Sequence, residues 1–437
     1  MRRFLALACL CVLLSGCADW FEGPQAPPLP GERIPVLTLD RKIDPDPRMA
    51  DVKVALPRPE VNPEWPQPGG LPSHAMQHPE ATGRLERVWD VGVGRGGSSD
   101  SQLLAQPVIA DGRVYTLDVR AEARAFDAAT GREIWRRGLA PREDDEGILG
   151  GGIAFSRGRL VASTGFGAVV ALDAATGEEV WRRSVSGPMR AGPTIYGDRV
   201  FVVTIANQVH ALSMDDGRVL WSSAGIGETA GLLGGAAPAA DADVVIAPFS
   251  SGEMTALRME NGRTIWTESL TAVRATDPVS ALSHIRGHPV IDRGRVIAVS
   301  HSGRMVAVDL RTGNRIWEQA IGGTYMPWVA GDYIFVVSNN GELACVSRLD
   351  GRVRWVQPMQ RYENEERKRD PITWAGPVLV GDRLIVAGSN GEVWSYSPYT
   401  GEALGRIRLS GPIYLQPAVA NETVYILTDR AQLIALR

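Results

Sequence analysis

Cysteine is scarce in this chain. Four occur in 437 residues, and two of them, Cys9 and Cys11, sit in an apolar N-terminal stretch that reads as a cleaved leader. Cys17 and Cys345 are then left, too few for a disulfide framework even in an oxidising compartment. After the leader no apolar run is long enough to cross a bilayer. Charge of one sign is lacking too. The formal net charge is −4 with both signs mixed throughout, and the absence of a basic stripe argues against a nucleic-acid partner. No phosphate-cradling GxxxxGK[ST] loop occurs. The run GVGRGG (Gly92 to Gly97) has neither that spacing nor a following helix, so it reads as loop.

What the chain does have is a repeat. A segment ending in Gly and then Trp recurs as AFDAATGREIW (Ala125 to Trp135), ALDAATGEEVW (Ala171 to Trp181) and ALSMDDGRVLW (Ala211 to Trp221). It returns as ALRMENGRTIW (Ala256 to Trp266), AVDLRTGNRIW (Ala307 to Trp317) and CVSRLDGRVRW (Cys345 to Trp355), with SYSPYTGEALG (Ser395 to Gly405) as a decayed copy. The period is roughly 38–51 residues, within the range of propellers and solenoids.

Each unit has the same parts. A Pro-Val-like start precedes a turn, as in PVIADGRVYTLD from Pro107. An apolar run such as RVFVVT (Arg199 to Thr204) follows, suited to a pleated, half-buried surface. A Gly turn and the tag complete the unit. In the tag, Asp127 and Thr130–Gly131 read as one device. The carboxylate accepts N–H bonds within its own turn, and Gly supplies a positive φ. No helical period intervenes. The unit is therefore a four-stranded antiparallel sheet, and sheets stacked round an axis bury both faces. The recurrent Trp135, Trp181, Trp221, Trp266, Trp317 and Trp355 read as wedges between sheets, each indole N–H reaching a backbone carbonyl.

Starts near Pro107, Ile153, Pro193, Pro238, Pro289, Pro327, Pro377 and Pro417 predict an all-β, eight-bladed β-propeller over 85–437. The eighth unit stops at LIALR (Leu433 to Arg437), before its Trp strand. LERVWDVGVG (Leu85 to Gly94) carries Trp89 without the three strands that should precede it. The N-terminal strand is thus expected to complete the last sheet and close the ring.

Residues 1–16 read as a secretory signal: two Arg, an apolar run, then Leu14-Ser15-Gly16 before Cys17. The order matches the bacterial lipoprotein pattern, in which Cys17 becomes the lipidated first residue. In enterobacterial lipoproteins Asp directly after that Cys retains the protein at the inner membrane. Here Ala18 follows, so the outer membrane is the expected destination. Residues 17–84 hold about half of the 29 prolines. That composition reads as a disordered, extended tether, with a Pro-rich ligand for a recognition domain as the alternative.

Candidate chemistry is thin. His284 and His288 have a zinc-like spacing, but Gly287 and Pro289 argue against a helix there. His74 and His78 lie in the tether with no third ligand. His210 reads as a strand residue and His301 as part of a blade turn. Cys345 takes the place of Ala in its tag and reads as a small buried hydrophobe. Asp144–Asp145 and Glu365–Glu366 sit in charged loops, and no Ser/His/Asp set can be assembled from spacing.

The tags resemble the tryptophan-docking repeat of pyrroloquinoline quinone (PQQ) dehydrogenases. That likeness raises a periplasmic alcohol dehydrogenase as the alternative reading. Those enzymes carry adjacent cysteines and a Ca²⁺ site of Glu, Asn and Asp, whereas this chain has no adjacent cysteines after its leader. A lipobox, a tether and an eight-sheet ring of these tags together resemble the BamB family of the outer-membrane β-barrel assembly machine. The resemblance covers Cys17 and nearly all of 85–437; the long Pro-rich segment departs from the enterobacterial form. It implies a non-enzymatic scaffold without cofactor or metal, lipid-anchored at the periplasmic face of a Gram-negative outer membrane. It implies as partners the POTRA domains of a BamA-type insertase and the other subunits of the machine, with unfolded β-barrel substrates as further candidates. The family's contact loops match GLLGGAAP (Gly231 to Pro238) and ALSHIRGHP (Ala281 to Pro289). Leu232, Leu233, His284 and Arg286 are the contact residues so implied, although enterobacterial members carry acidic residues in place of the last two. The longest connectors, Thr267 to His288 and Val356 to Gly376, are where loops on a rigid scaffold would bind.

Overall fold

The computed structural model describes residues 42–81, 83–98, 101–141, 150–228, 231–271 and 282–437. Eight four-stranded antiparallel sheets are arranged as blades round an axis. Blade 1 consists of Val108–Ala110, Arg113–Leu117, Glu122–Asp127 and Glu133–Gly138, counted from the axis outward. Blades 2 to 7 start with the inner strands Gly151–Ser156, Thr194–Tyr196, Ala239–Asp241, Val290–Asp292, Trp328–Ala330 and Trp374–Val380. Blade 8 starts with Ala418–Ala420, whose contact with Val108–Ala110 completes the circle. Its outermost strand is Arg87–Gly92, paired antiparallel with Gln432–Leu436. The closure expected from the orphan Trp89 is therefore present.

The antiparallel order fixes the two ends of the ring. Turns between the first and second strands, and between the third and fourth, lie at one end, the turn face. The remaining turns and the connectors between blades lie at the other, the connector face.

The tag explains itself once paired. The third and fourth strands slip by one residue just before the Trp, a bulge repeated in blade after blade. The slip sets Trp135 opposite Ala125, Trp181 opposite Ala171 and Trp221 opposite Ala211. Paired residues point to the same side of a sheet, so a small residue leaves room for the indole. Cys345 fills that role opposite Trp355 and is fully buried, with burial pushing its thiol pKa well up. The turn device is also as read. Asp127 accepts from the Thr130 N–H at 2.9 Å and from its hydroxyl at 2.7 Å, and Asp173 and Asp309 repeat the pattern. These hydrogen bonds lower the carboxyl pKa of all three.

Each Trp leaves its own blade and docks on the next. Trp89 donates its indole N–H to the Ala128 carbonyl at 3.1 Å, Trp135 to Ala174 at 3.0 Å and Trp181 to Met214 at 3.0 Å. Trp221 reaches Met259, Trp266 Leu310, Trp317 Arg348 and Trp355 Pro398, all within 3.1 Å. The ring lies flat on the tag Gly of that neighbour. A Cβ on Gly262 would stand 2.5 Å from Trp221, and one on Gly177 2.7 Å from Trp135. The tag Gly thus has two duties, a positive φ and a bare surface for an indole.

The decayed tag of blade 7 follows from the same geometry. A Trp at Gly405 would dock on the turn between the third and fourth strands of blade 8. That turn does not exist, because the two strands belong to opposite ends of the domain. Glu86 and Arg437 exchange backbone hydrogen bonds there instead, at 2.8 and 2.9 Å. With no seat to fill, position 405 holds Gly, and a Cβ there would meet nothing within 4 Å.

The expectation of a free tether over 17–84 fails for its described part. From Lys42 onward the chain is part of the same compact unit as the ring. Residues Asn62 to Pro79 make one lap round the axis and meet every blade in order. Asn421 of blade 8 donates its backbone N–H to the Asn62 carbonyl, Ile109 of blade 1 to Trp65, and Phe155 of blade 2 to Pro66. Ile195 of blade 3 donates to the Gln67 side chain at 2.9 Å. Ala240 of blade 4 then donates to Pro72 and Ile291 of blade 5 to Ser73. Gly331 of blade 6 uses the Gln77 side chain at 3.0 Å, and Gly381 of blade 7 donates to Pro79 at 2.8 Å. Trp65, 1 % exposed, stacks on Trp328, and His74 is buried. Proline suits this strap. It lacks an N–H that the lap would leave unpaired, and its carbonyl remains an acceptor. Pro content alone gave the wrong reading, because sparse anchors such as Trp65 and His74 supply the burial.

Candidate partner-binding platform and axial pocket

The two loops singled out in the sequence lie side by side on the connector face. The first joins blades 3 and 4, the second blades 4 and 5. Three cross-links fasten them within the described residues. The Leu232 N–H donates to His284 Nδ1 at 3.0 Å, and the Ala237 N–H to His288 Nδ1 at 2.8 Å. Arg286 Nε donates to the Leu233 carbonyl at 2.8 Å, and its guanidinium lies over the Tyr325 ring at 5.1 Å. The glycines let the loops approach this closely. A Cβ on Gly234, where φ is +93°, would meet Arg286 Nε at 2.8 Å.

All four contact residues implied by resemblance are thus brought together, in unequal roles. Leu233 is 37 % exposed and Leu232 half-buried, so they present an apolar edge. His284 is only 7 % exposed. Its place is beneath the loop as a support and not at the surface, because its ring nitrogen is taken by the Leu232 N–H. Burial, with the charges of Arg286 and Arg190 nearby, lowers its pKa to about 4. It is neutral at pH 7, with its ring proton on Nε2.

His284 and His288 each serve a separate backbone N–H, so their zinc-like spacing has a structural cause. Both ring nitrogens of His78 lie 2.6 Å from carbonyl oxygens, those of Pro57 and Gly381. His74 Nδ1 donates to the Pro289 carbonyl at 2.7 Å. His210 is a strand residue, as expected, with its nitrogens on the hydroxyls of Ser222 and Ser186 at 2.7 and 2.9 Å. The second long connector forms an exposed hairpin, Tyr362–Asn364 paired with Arg369–Pro371. Cys17 and Asp144–Asp145 lie outside the described residues.

Beside the platform, at the axis, is a feature that sequence reasoning missed. The connector face dips into a bowl lined by Leu232, Leu233, Arg286, Tyr325, Tyr414 and Asp429. Deeper lies a cavity of about 60 Å³ that also involves Arg190 and His288. Its floor is a net of two glutamines. Gln106 accepts the N–H of strap residue Gly69 at 3.1 Å, and Gln416 accepts that of Met326 at 3.2 Å. A lone Arg in SGPMRAGP (Ser186 to Pro193) carries no periodic or spaced signal that would mark Arg190 as a site residue.

Comparison with known proteins gives the following. The family model described as "Outer membrane protein assembly factor BamB" matches residues 119–357 and 360–437. The outer membrane protein assembly factor BamB of Shewanella oneidensis is 26% identical over 356 residues, covering 79% of this chain and 87% of that one. Among solved structures, BamB from Moraxella catarrhalis superposes with a TM-score of 0.69 at 20% identity, covering 81% of this chain and all of the other. The quinohemoprotein alcohol dehydrogenase of Comamonas testosteroni superposes at 0.66 with 13% identity, covering 86% and 80%. At such identities the superpositions speak for the fold alone.

Proposed function

Because the chain belongs to the family of outer membrane protein assembly factor BamB, we propose that it is a non-enzymatic scaffold docking to the periplasmic POTRA domains of a BamA-type insertase. Docking is through the connector face. It holds those domains, and through them the incoming β-barrel chains, in a productive orientation. The observation that carries this reading is the cross-linked platform, in which His284, Arg286 and His288 clamp two loops so that Leu232 and Leu233 stand out together. A preorganised apolar edge loses little entropy on binding. Apolar and Arg anchors in such a setting are the usual carriers of binding energy. Cys17, lipidated, anchors the protein to the outer membrane from the periplasmic side.

The dehydrogenase alternative shares the ring but is less well supported. The dehydrogenase superposition rests on 13% identity, and no two cysteines are adjacent after Cys17. The test is co-purification from solubilised membranes with Leu232→Asp, Leu233→Asp and Arg286→Glu, singly and combined. Recovery of the insertase is expected to fall at least about tenfold for the combined variant, with unchanged circular dichroism. Full recovery with the combined variant would reject this surface. Dye-linked alcohol oxidation after adding PQQ and Ca²⁺ would instead favour the enzyme.

A further inference from the structure

The axial cavity has a charge imbalance that scaffolding does not use. Among the described residues that line it none is Asp or Glu, and two are Arg. Arg190 is half-buried and makes no ion pair or hydrogen bond among the described residues. A partly desolvated guanidinium without a counter-ion is unfavourable unless an anion completes it. Arg286 gives Nε to Leu233 and Nη1 to Thr324, and no carboxylate pairs with its guanidinium among the described residues. The two arginines flank one glycine pair, with Gly234 packed on Arg286 and Gly235 on the Arg190 stem. His288 accepts the Ala237 N–H at Nδ1, so the proton of its neutral ring is on Nε2, free to donate. The glutamine floor offers no countercharge, and its amides are bonded to Gly69, Met326 and the Gln416 and Pro377 carbonyls. From the turn face, the strap residues Gly69 and His74 pack behind Met326 and His288 and back that floor.

We propose that this pocket is an anion site for one carboxylate group carried by a polypeptide, gripped by Arg190 and Arg286 with the His288 Nε2–H as a further donor. A planar carboxylate matches the fork of a guanidinium. The wider bowl above is lined by Leu232, Leu233, Tyr325 and Tyr414. It offers apolar and aromatic surface to the chain that bears the carboxylate. Asp429, the acid among the described residues of the bowl, is not in the lining of the inner cavity and accepts the Leu103 N–H at 2.9 Å. This site stands on the pocket's own chemistry and not on docking to the insertase, so failure of one leaves the other in place.

The test is calorimetric titration of the mature chain at fixed ionic strength in chloride. The probes are acetate, inorganic phosphate, and a short apolar peptide with either a free or an amidated C-terminus. Acetate and the free-acid peptide should bind saturably, and the amidated peptide at least about tenfold more weakly, the loss expected for a charge-assisted hydrogen bond. Arg190→Gln should weaken both binders by a similar factor while its melting temperature without ligand is unchanged. Should that variant be unstable, acetate must still shift the Gly234, Gly235 and Ala237 amide resonances of the unsubstituted protein. Absence of saturable carboxylate binding, equal affinity for the two peptides, equal binding by a folded Arg190→Gln, or binding of phosphate alone would overturn the proposal.

Discussion

Replacing Gly262 by Ala tests the docking that links the blades. Gly262 has φ +70°, and a Cβ there would stand 2.5 Å from Cε3 of Trp221. The left-handed backbone alone costs an alanine about 1–2 kcal/mol. Moving the indole adds about 1–3 kcal/mol of overpacking. Losing the 2.9 Å bond from Trp221 to the Met259 carbonyl adds about 1 kcal/mol. The whole is about 3–6 kcal/mol. Gly294 is the control, since its φ is +73° but a Cβ there would meet nothing within 4 Å. Gly294→Ala should cost only the backbone part. At roughly 2.1 cal/mol/K per residue over roughly 400 residues, 1 kcal/mol lowers Tm by about 1 °C. Calorimetry should therefore show a drop of about 4–7 °C for Gly262→Ala and about 1–2 °C for Gly294→Ala. In a Trp221→Leu background the two alanines should become nearly equivalent, because the clash is gone. Equal drops in the unmodified background would refute the docking account.

Three further outcomes follow. Exchanging Asn62–Pro79 for a Gly/Ser linker should speed hydrogen exchange about tenfold or more at one amide in every blade, namely Asn421, Ile109, Phe155, Ile195, Ala240, Ile291, Gly331 and Gly381. Unchanged exchange in blades 3 to 6 would show that the lap does not couple the ring. Burial lowers the pKa of His74 and His284 to about 4, against about 6.5 in an unfolded chain. The unfolded state therefore binds protons first as pH falls, and stability present above about pH 6.5 is lost toward pH 4, by about 2–3 kcal/mol per histidine. His74→Gln should flatten the denaturant midpoint between pH 7 and 5, and an unaltered slope would contradict the assignment. Cys17→Ser should abolish palmitate labelling and release the protein from the membrane fraction, whereas retained labelling would place the lipid elsewhere.

Much of the ring was legible because its rules are local and repeated. Trp, the small residue opposite it and the tag Gly recur at fixed spacing, since every blade solves the same packing problem. Trp89 betrayed the closing strand because it appeared without its partners. Gly405 looked like decay, but its cause is topological, as blade 8 offers no turn to dock on. The strap was misread for a physical reason. Most of its bonds to the blades run through backbone carbonyls, which leave no side-chain pattern, and its proline content imitates a free linker. His284 was placed on the surface because a sequence shows polarity and not burial. Arg190 was missed because its importance lies in what surrounds it, and neighbours across an axis are invisible to spacing.

Docking through the connector face is tested most directly by site-specific photo-crosslinking in intact cells. A photoreactive residue at Leu233 should capture the insertase's periplasmic domain. The same residue at Asp198, exposed on a turn-face loop of blade 3, should not. Capture from Asp198, with none from Leu233, would contradict the proposed orientation.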